Sequence, residues 1–201
     1  MSDFINTTDI LGDDAVCDGI INKTLSEYAD NRITFIGEYS FYNCPNIAKI
    51  DLPNVTSVGV FSFYGCSSAR TINLPLAVDI GNYAFYNDYD VESINIPVAT
   101  SIGKSAVRNC SSLTRIDLPK VTIIDTYAFY NCSALTTVIL RSSTICELTS
   151  TNVFGNMPIS NGTGFIYVPA RLVDSYVSGT NWSVLADQIR AIEDYPDITG
   201  G

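Results

Sequence analysis

One pattern of residues recurs every 22 positions along this chain, and that period constrains the fold more than any other feature of the sequence. An Ile-Gly pair or a close variant marks each copy, at residues 36–37, 58–59, 80–81, 102–103 and 124–125. A fixed period of this length indicates a solenoid, because each repeat can bury its apolar face only against its neighbours. Chains of this kind usually act by presenting a surface.

The second half of each repeat alternates apolar and polar residues, as in Ile50-Asp51-Leu52. This alternation predicts a short β-strand, and a following proline predicts where the strand ends. These prolines are Pro53, Pro75, Pro97 and Pro119. Residues 55–59 predict a second extended segment, and the spacing of aromatic residues within 38–43 predicts one short helical turn. We therefore expect a right-handed solenoid with a parallel β-sheet on one face and short extended and helical turns on the other.

The repeats divide the chain into three parts. Residues 1–32 are expected to be an N-terminal segment and cap, 33–143 five repeats, and 144–201 a degenerate sixth repeat followed by a helical C-terminal cap that shields the open end. The N-terminal cap is predicted as a short amphipathic helix that contains Ile20, Ile21, Leu25 and Tyr28. The helical period of the C-terminal cap predicts an apolar stripe of Leu172, Tyr176, Trp182, Leu185, Ile189 and Ile192.

The net charge of −10 resides at the two ends of the chain. Residues 1–32 hold seven acidic residues against two basic ones, residues 144–201 hold six against two, and residues 33–143 hold eight against seven. Because no basic stripe follows the repeats, nucleic acid is not an expected partner. No apolar run reaches the roughly 18 residues that span a bilayer, so we expect no membrane insertion.

The chain contains no histidine. This removes the commonest general base, the Ser-His and Cys-His nucleophiles, and the usual zinc and iron ligand sets. No Cys-x-x-Cys pair indicates a zinc site either. We therefore predict that the protein is not an enzyme, and we expect no cofactor and no metal.

Four of the six cysteines share one repeat position: Cys44, Cys66, Cys110 and Cys132. Equivalent positions of adjacent repeats lie near the distance that a disulfide can bridge, so Cys44–Cys66 and Cys110–Cys132 are conceivable pairs. Side chains at equivalent positions point in the same direction, however, which favours a column of buried free thiols that pack as small apolar groups.

Two further columns are aromatic, and they lie three residues apart on the same side of a turn. They contain Tyr39, Phe61, Tyr83 and Tyr127 in one column and Tyr42, Tyr64, Tyr86 and Tyr130 in the other. Such rings could form a platform for sugar rings or for a partner protein. Repeat stacking alone also produces aromatic columns, and we favour this simpler interpretation, in which they only shield the edge of the solenoid.

The fourth repeat, residues 100–121, interrupts the aromatic columns with Ser105, Val107 and Arg108. It also carries four of the seven bases between residues 33 and 143: Lys104, Arg108, Arg115 and Lys120. The preceding repeat carries Asp79, Asp88, Asp90 and Glu92. These charges could form ion pairs between repeats, which we favour, or a polar notch that a ligand recognises. The aromatic columns and the four bases together form our candidate binding surface.

The repeat resembles the BspA-type leucine-rich repeat, whose pattern is approximately Leu-x-x-Ile-x-Leu-Pro followed by Ile-Gly-x-x-Ala-Phe-x-x-Cys. Residues 113–119 match the first half and residues 80–85 the second. Departures from the pattern are Asp88 for cysteine, Val107 for phenylalanine, Asp125 for glycine and Arg141 for proline. The resemblance covers residues 33–141 and implies a leucine-rich repeat solenoid.

The resemblance also implies a function, because BspA-like proteins are mostly surface or host-interaction proteins of bacteria and some protists. Our first hypothesis is therefore a non-enzymatic recognition module that binds a protein or glycan, with a cell-surface or secreted location expected from the family. The N-terminal residues lack the basic and apolar segments of a secretory signal. Either the protein is not exported by that route or its leader has been removed. The missing signal favours the alternative, a structural accessory subunit of a phage tail or similar assembly, with a phage particle or the cytoplasm as possible locations. The oligomeric state is left open.

Overall fold

The computed structural model describes residues 10–11 and 26–199, in which the chain winds into a solenoid of parallel strands. One side carries a seven-stranded parallel sheet of two-residue strands. These are β1 (Ile10–Leu11), β3 (Phe35–Ile36), β5 (Ser57–Val58), β7 (Asp79–Ile80), β9 (Ser101–Ile102), β11 (Ile123–Ile124) and β13 (Glu147–Leu148). The first residue of each Ile-Gly pair or its variant is buried in the core, as the repeat pattern predicts.

The alternating segments form strands on a second side, here called the sheet side, in two four-stranded parallel sheets. The first sheet contains β2 (Glu27–Ala29), β4 (Lys49–Asp51), β6 (Thr71–Asn73) and β8 (Ser93–Asn95). The second contains β10 (Arg115–Leu118), β12 (Thr137–Leu140), β14 (Phe165–Val168) and β15 (Ile189–Ala191). Equivalent residues lie opposite each other, so that Ile50 pairs with Ile72 and both side chains enter the core. The expected leucine-rich repeat solenoid is confirmed.

The sheet side is interrupted between the third and fourth repeats. In the described part of the chain β8 has no partner beyond β6, and β10 pairs only with β12. The sheet of two-residue strands continues past this point, because β7 pairs with β9 and β9 with β11. The interruption is therefore local to one side of the solenoid.

Residues 38–43 and their equivalents form tight turns and not the helical turn that the sequence suggested. Each complete turn has a left-handed residue near both ends, such as Tyr39 with φ 57° and Asn43 with φ 55°. Alternate main-chain N–H groups of one turn donate to carbonyl oxygens of the next, which makes this third side, the turn side, a hydrogen-bonded ladder. In the first turn the donor–acceptor pairs are Tyr39–Val60 at 3.1 Å, Phe41–Ser62 at 2.6 Å and Asn43–Tyr64 at 2.7 Å.

The C-terminal cap is not one continuous helix. It consists of the short helices α1 (Val173–Ser178) and α2 (Pro196–Thr199), with 3-10 turns at Ala170–Leu172, Ser183–Gln188 and Ile192–Asp194. The predicted stripe is buried except for the half-buried Leu172. Ile189 departs from the predicted helix and lies in strand β15, which pairs with β14.

The cap satisfies the main chain beside the last two-residue strand, β13. The hydroxyl of Tyr176 accepts a hydrogen bond from Cys146 N–H at 2.9 Å, and Trp182 Nε1 donates to Cys146 O at 2.7 Å. Asn181 Nδ2 donates to Leu148 O at 2.6 Å. An exposed strand edge would otherwise invite pairing with another chain. At the opposite end Ile20, Ile21 and Leu25 lie outside the described residues, whereas Tyr28 lies in strand β2 and not in the expected helix.

The outward face of the sheet side changes from polar to apolar towards the C-terminus. Ile139 of β12 and Tyr167 of β14 are buried because Ile192 and Ile198 pack against them. Tyr195 adds an edge contact to the Tyr167 ring at 5.2 Å. The end of the chain thus covers the last strands of the sheet side.

Candidate functional site

The two aromatic columns form a belt along the turn side. We define the aromatic belt as Tyr39, Tyr42, Phe61, Tyr64, Tyr83, Tyr86, Arg108, Tyr127 and Tyr130. The belt is well ordered in its first three repeats, where Tyr42 and Tyr64 stack at 5.0 Å between ring centroids and Tyr64 and Tyr86 at 5.1 Å. In the parallel column Phe61 stacks on Tyr83 at 4.6 Å with planes only 5° apart.

Stacking determines which parts of these rings a partner can reach. The interplanar angles within the columns are 2° to 17°, so the faces of neighbouring rings cover each other. The tyrosines therefore present edges and hydroxyl groups to solvent, and Tyr42 retains 40% of its exposure. The belt is suited to hydrogen bonding along a row of hydroxyls more than to the stacking of a sugar ring on a free aromatic face.

Arg108 occupies the place of a missing tyrosine in the second column. Its guanidinium carbon lies 5.6 Å from the Tyr86 ring centroid, 4.8 Å from that of Tyr130 and 5.5 Å from that of Tyr127. A planar guanidinium stacks on aromatic rings almost as another ring would. The fourth repeat therefore continues the belt with a cation.

The other two residues of the fourth repeat that interrupt the aromatic columns, Ser105 and Val107, are buried. Ser105 takes the left-handed conformation that an aromatic residue has in the other repeats, with φ 53°, and it is buried. Val107 is fully buried and replaces a ring of the phenylalanine column. That column is therefore stacked in two separate groups, Phe41 with Phe63 and Phe85, and Phe129 with Phe154.

The four bases that cluster in the sequence do not cluster in space. Lys104 and Arg108 belong to the turn side, whereas Arg115 lies on the outward face of β10 and Lys120 follows that strand. Arg115 lies 3.7 Å from Asp117, a carboxylate that Arg141 also binds through two nitrogens. A single notch that combines all four bases is therefore not formed.

The acidic residues of the third repeat also do not pair with these bases in the described residues. Glu92 bonds to Arg70 of the second repeat at 2.9 Å, and Asp79 accepts a hydrogen bond from Ser101 at 2.9 Å. Asp88 is fully buried in the cysteine column, and neither carboxyl oxygen has a hydrogen-bond partner. Burial raises the pKa of Asp88 well above its usual value, and the nearby main-chain N–H groups of Cys66 and Gly65 offset this only in part.

The cysteine column consists mainly of free thiols, as expected. Cys66, Cys110 and Cys132 are free and buried, and each thiol donates to a main-chain carbonyl at 3.0–3.1 Å. Burial raises the pKa of Cys132 to about 12, so this thiol stays protonated. Cys44 is the exception, because it is disulfide-bonded. The conceivable Cys44–Cys66 and Cys110–Cys132 pairs are not formed, since three of these four residues are free.

An asparagine ladder beside the belt was not predicted from the sequence. Asn109 Nδ2 donates to Asn87 Oδ1 at 2.7 Å, and the pattern continues from Asn131 to Asn109 at 3.0 Å and from Asn156 to Asn131 at 2.7 Å. Asn87 in turn donates to the Tyr64 hydroxyl at 3.4 Å. The signal in the sequence is an asparagine at a fixed repeat position, where the turn requires a left-handed residue.

Other sites offer less. Within the described residues no group of three or more cysteine or acidic side chains is arranged to hold a metal ion. No described helix has the length and apolar character needed to traverse a membrane. A depression of about 460 Å³ near the start of the solenoid is lined by Asp30, Arg32 and Asp51 among others, but Asp30 and Arg32 already bind each other through two hydrogen bonds.

Solved structures of leucine-rich repeat proteins are similar to this chain. A Treponema pallidum leucine-rich repeat protein, TpLRR, is 17% identical with a TM-score of 0.46, and the match covers 71% of this chain and 75% of that one. A Bacteroides ovatus leucine-rich repeat protein is 19% identical with a TM-score of 0.44, over 71% of this chain and 48% of that one. The pneumococcal vaccine antigen PcpA is 14% identical with a TM-score of 0.41, over 84% and 40% respectively.

No curated protein matches the sequence. The sequence family described as "BspA type Leucine rich repeat region" matches residues 34–160 in six copies. This match covers more than half of the chain and includes all the turns that carry the aromatic belt. The chain therefore belongs to the BspA-type leucine-rich repeat family.

Proposed function

We propose that this protein is a non-enzymatic recognition module that binds a protein or glycan partner through the aromatic belt. The solenoid fold of this family suggests a protein-interaction module. The observation that carries the proposal is the belt itself, a row of tyrosine edges that runs across several repeats and contains one cation, Arg108, with no ion-pair partner among the described residues. A site for catalysis is not part of the proposal.

The rigidity of the belt supports this choice of surface. Each belt turn is fixed to the next by main-chain hydrogen bonds, and most belt rings are also held by stacking. Side chains that are ordered before binding lose little conformational entropy when a partner arrives. Tyrosine also offers a large contact area with few rotatable bonds.

The sheet side is a weaker candidate. Its last strands are covered by the C-terminal residues. In its first strands the outward amides bond to one another, since Asn73 donates to Asp51 at 2.7 Å and Asn95 donates to Asn73 at 2.6 Å. Groups already paired in this way have less to gain from hydrogen bonds to a partner.

The belt can be tested without disturbing its stacking. The triple variant Tyr42→Phe, Tyr64→Phe, Tyr86→Phe removes three hydroxyls and keeps every ring. It should lose most binding on arrays of purified glycans and purified proteins that give a signal with the unaltered protein. Tyr195→Phe, which removes the hydroxyl of an exposed tyrosine outside the belt, is the control and should bind normally.

Two outcomes would overturn the proposal. Unchanged array signals for the triple variant would show that the belt is not the binding surface. The absence of any signal for the unaltered protein would instead favour a structural subunit of a phage tail or similar assembly.

A further inference from the structure

Arg108 has no counter-ion among the residues that the structure describes. No hydrogen bond or ion pair to its side chain is formed within residues 10–11 and 26–199, and its Nε is buried without an acceptor. Asp88, in the core of the preceding repeat, does not bond to it. Asp125 is already bonded to Thr149 at 2.6 Å and to the Thr126 N–H at 2.6 Å.

A buried N–H donor that lacks an acceptor, as Arg108 Nε does in the described residues, is costly. The rings of Tyr86, Tyr127 and Tyr130 stabilise its charge by cation–π contacts but accept no conventional hydrogen bond from its N–H groups. A guanidinium has five donors in a planar fork that matches a carboxylate or a sulfate. An anionic group of a bound partner would match this fork.

We propose, on the basis of the recognition function above, that Arg108 receives the carboxylate or sulfate group of an acidic glycan bound along the aromatic belt. The tyrosine hydroxyls on both sides of Arg108 bind the neighbouring sugar hydroxyls. Because the belt holds one cation among its described residues, it binds one acidic group in each stretch of glycan that lies along it. A densely charged polyanion would also be repelled by the net charge of −10.

The spacing of the belt favours a glycan over an extended peptide. Neighbouring rings of the two columns lie 4.6–5.1 Å apart. Side chains on one face of an extended peptide repeat at about 6.6 Å, twice the rise per residue, and would fall out of register within a few rings. Between Tyr42, Tyr64 and Tyr86 the ring faces are already stacked on one another, so they offer no free face to an anchoring apolar side chain.

The test uses two pairs of oligosaccharides measured by calorimetry. One pair is a glucuronate-containing oligosaccharide and its carboxyl-reduced form, and the other is a sulfated galactan oligosaccharide and its desulfated form. The protein should prefer at least one acidic form to its neutral counterpart, and the preferred pair identifies the anion. The preference should weaken as the salt concentration rises, because the interaction is electrostatic.

Arg108→Gln should weaken binding of the preferred acidic form by roughly ten- to a hundredfold, since a hydrogen-bonded charge is lost. Its affinity for the neutral form should stay unchanged. Arg115→Gln, which removes a cation from the sheet side, is the control and should bind as the unaltered protein does. Arg108→Tyr restores the regular column, and it provides a second uncharged variant if Arg108→Gln does not fold.

The outcomes separate this inference from the recognition function. If Arg108→Gln and Arg108→Tyr bind the acidic form normally while the triple tyrosine variant does not, the belt binds glycan but the role of Arg108 is wrong. If neither acidic oligosaccharide binds, or if a glutamate-rich peptide binds more tightly, the inference of an acidic glycan is overturned. Array signals from other partners would then still leave the recognition function standing.

Discussion

The first two repeats, residues 33–76, pack against each other regularly. The junction between the third and fourth repeats does not. In the first two repeats Phe41 stacks on Phe63 at 4.8 Å, the Cys66 thiol donates to Phe41 O, and strand β4 pairs with β6. At the junction, which we define by Asp88, Ser105, Val107 and Arg108, the phenylalanine column is broken. A carboxyl replaces the thiol, and strands β8 and β10 do not pair with each other.

This difference shows how a repeat protein can accommodate irregular residues. The stability of such an array is approximately a sum of repeat terms and nearest-neighbour interfaces, so a defect at one interface leaves the others intact. The four irregular residues are concentrated at one interface, and the belt crosses that interface through Arg108. Local conflicts of this kind are expected where a residue is retained for function.

The largest expected difference in stability between the regular repeats and the junction is in the phenylalanine column. Phe63→Ala removes a ring that contacts rings on both sides, at 4.8 and 5.5 Å, and should lower the free energy of unfolding by about 3–5 kcal/mol. Val107→Ala removes two methyl groups from the junction and should cost only about 1–2 kcal/mol. Urea denaturation of both variants measures the difference. Because Phe63→Ala removes more carbon atoms than Val107→Ala, equal losses would mean that the junction is packed more tightly for each atom removed than the regular repeats are.

Asp88 should make the junction sensitive to pH. The carboxyl has a pKa of about 3.9 in the unfolded chain, and burial raises its pKa well above that in the folded protein. Below about pH 4 the group is protonated in both states and ionisation costs nothing. As the pH rises above that value the unfolded state is favoured progressively, until the folded pKa is passed.

Asp88→Cys tests this expectation by restoring the regular residue of the column. The variant should be about 1–3 kcal/mol more stable at pH 7, because a thiol can donate to a carbonyl as Cys66 and Cys110 do. Urea unfolding should show that the difference in free energy of unfolding between this variant and the unaltered protein grows from pH 4 to pH 8. Asp90→Asn, at an exposed position, is the control and should show little change. A difference that is constant with pH would contradict the argument.

The sequence predicted the columns well, because side chains that repeat every 22 residues must meet their equivalents. Features that depend on backbone conformation were harder to predict. The spacing of Tyr39 and Tyr42 fits a helical turn, and it fits a tight turn with a left-handed Tyr39 equally well. Ile189 fits a helical stripe, but contact with β14 decides that it is a strand residue.

The geometry of the candidate site could be predicted only in part, for a similar reason. Arg108 was visible as an interruption of the tyrosine column, but a repeat alignment cannot show whether a side chain fills the gap. The structure places its guanidinium between Tyr86 and Tyr130. Lys104, Arg115 and Lys120 are close to Arg108 in the sequence, yet one repeat circles the solenoid within 22 residues, so proximity in the sequence does not bring them to one side.

The smallest expected effect concerns Gly65, which interrupts the asparagine ladder in the regular repeats. Its φ is 75°, and the equivalent residues Asn43 and Asn87 have φ 55° and 66°. A Cβ at Gly65 would meet only Asn43, at 3.5 Å or more. Gly65→Asn should therefore fit, give Asn87 an amide acceptor, and raise the free energy of unfolding by about 0.5–1 kcal/mol.

Gly65→Ala is the matched variant, because it adds a Cβ without an amide and should cost about 1–2 kcal/mol in the left-handed conformation. In thermal unfolding, Gly65→Asn should melt at a higher temperature than the unaltered protein and Gly65→Ala at a lower one. The ladder crosses the junction through the 2.7 Å bond from Asn109 to Asn87. If Gly65→Asn gives no gain, the amide bonds contribute little, and the turn side of the junction is held by its main-chain bonds and by Arg108 alone.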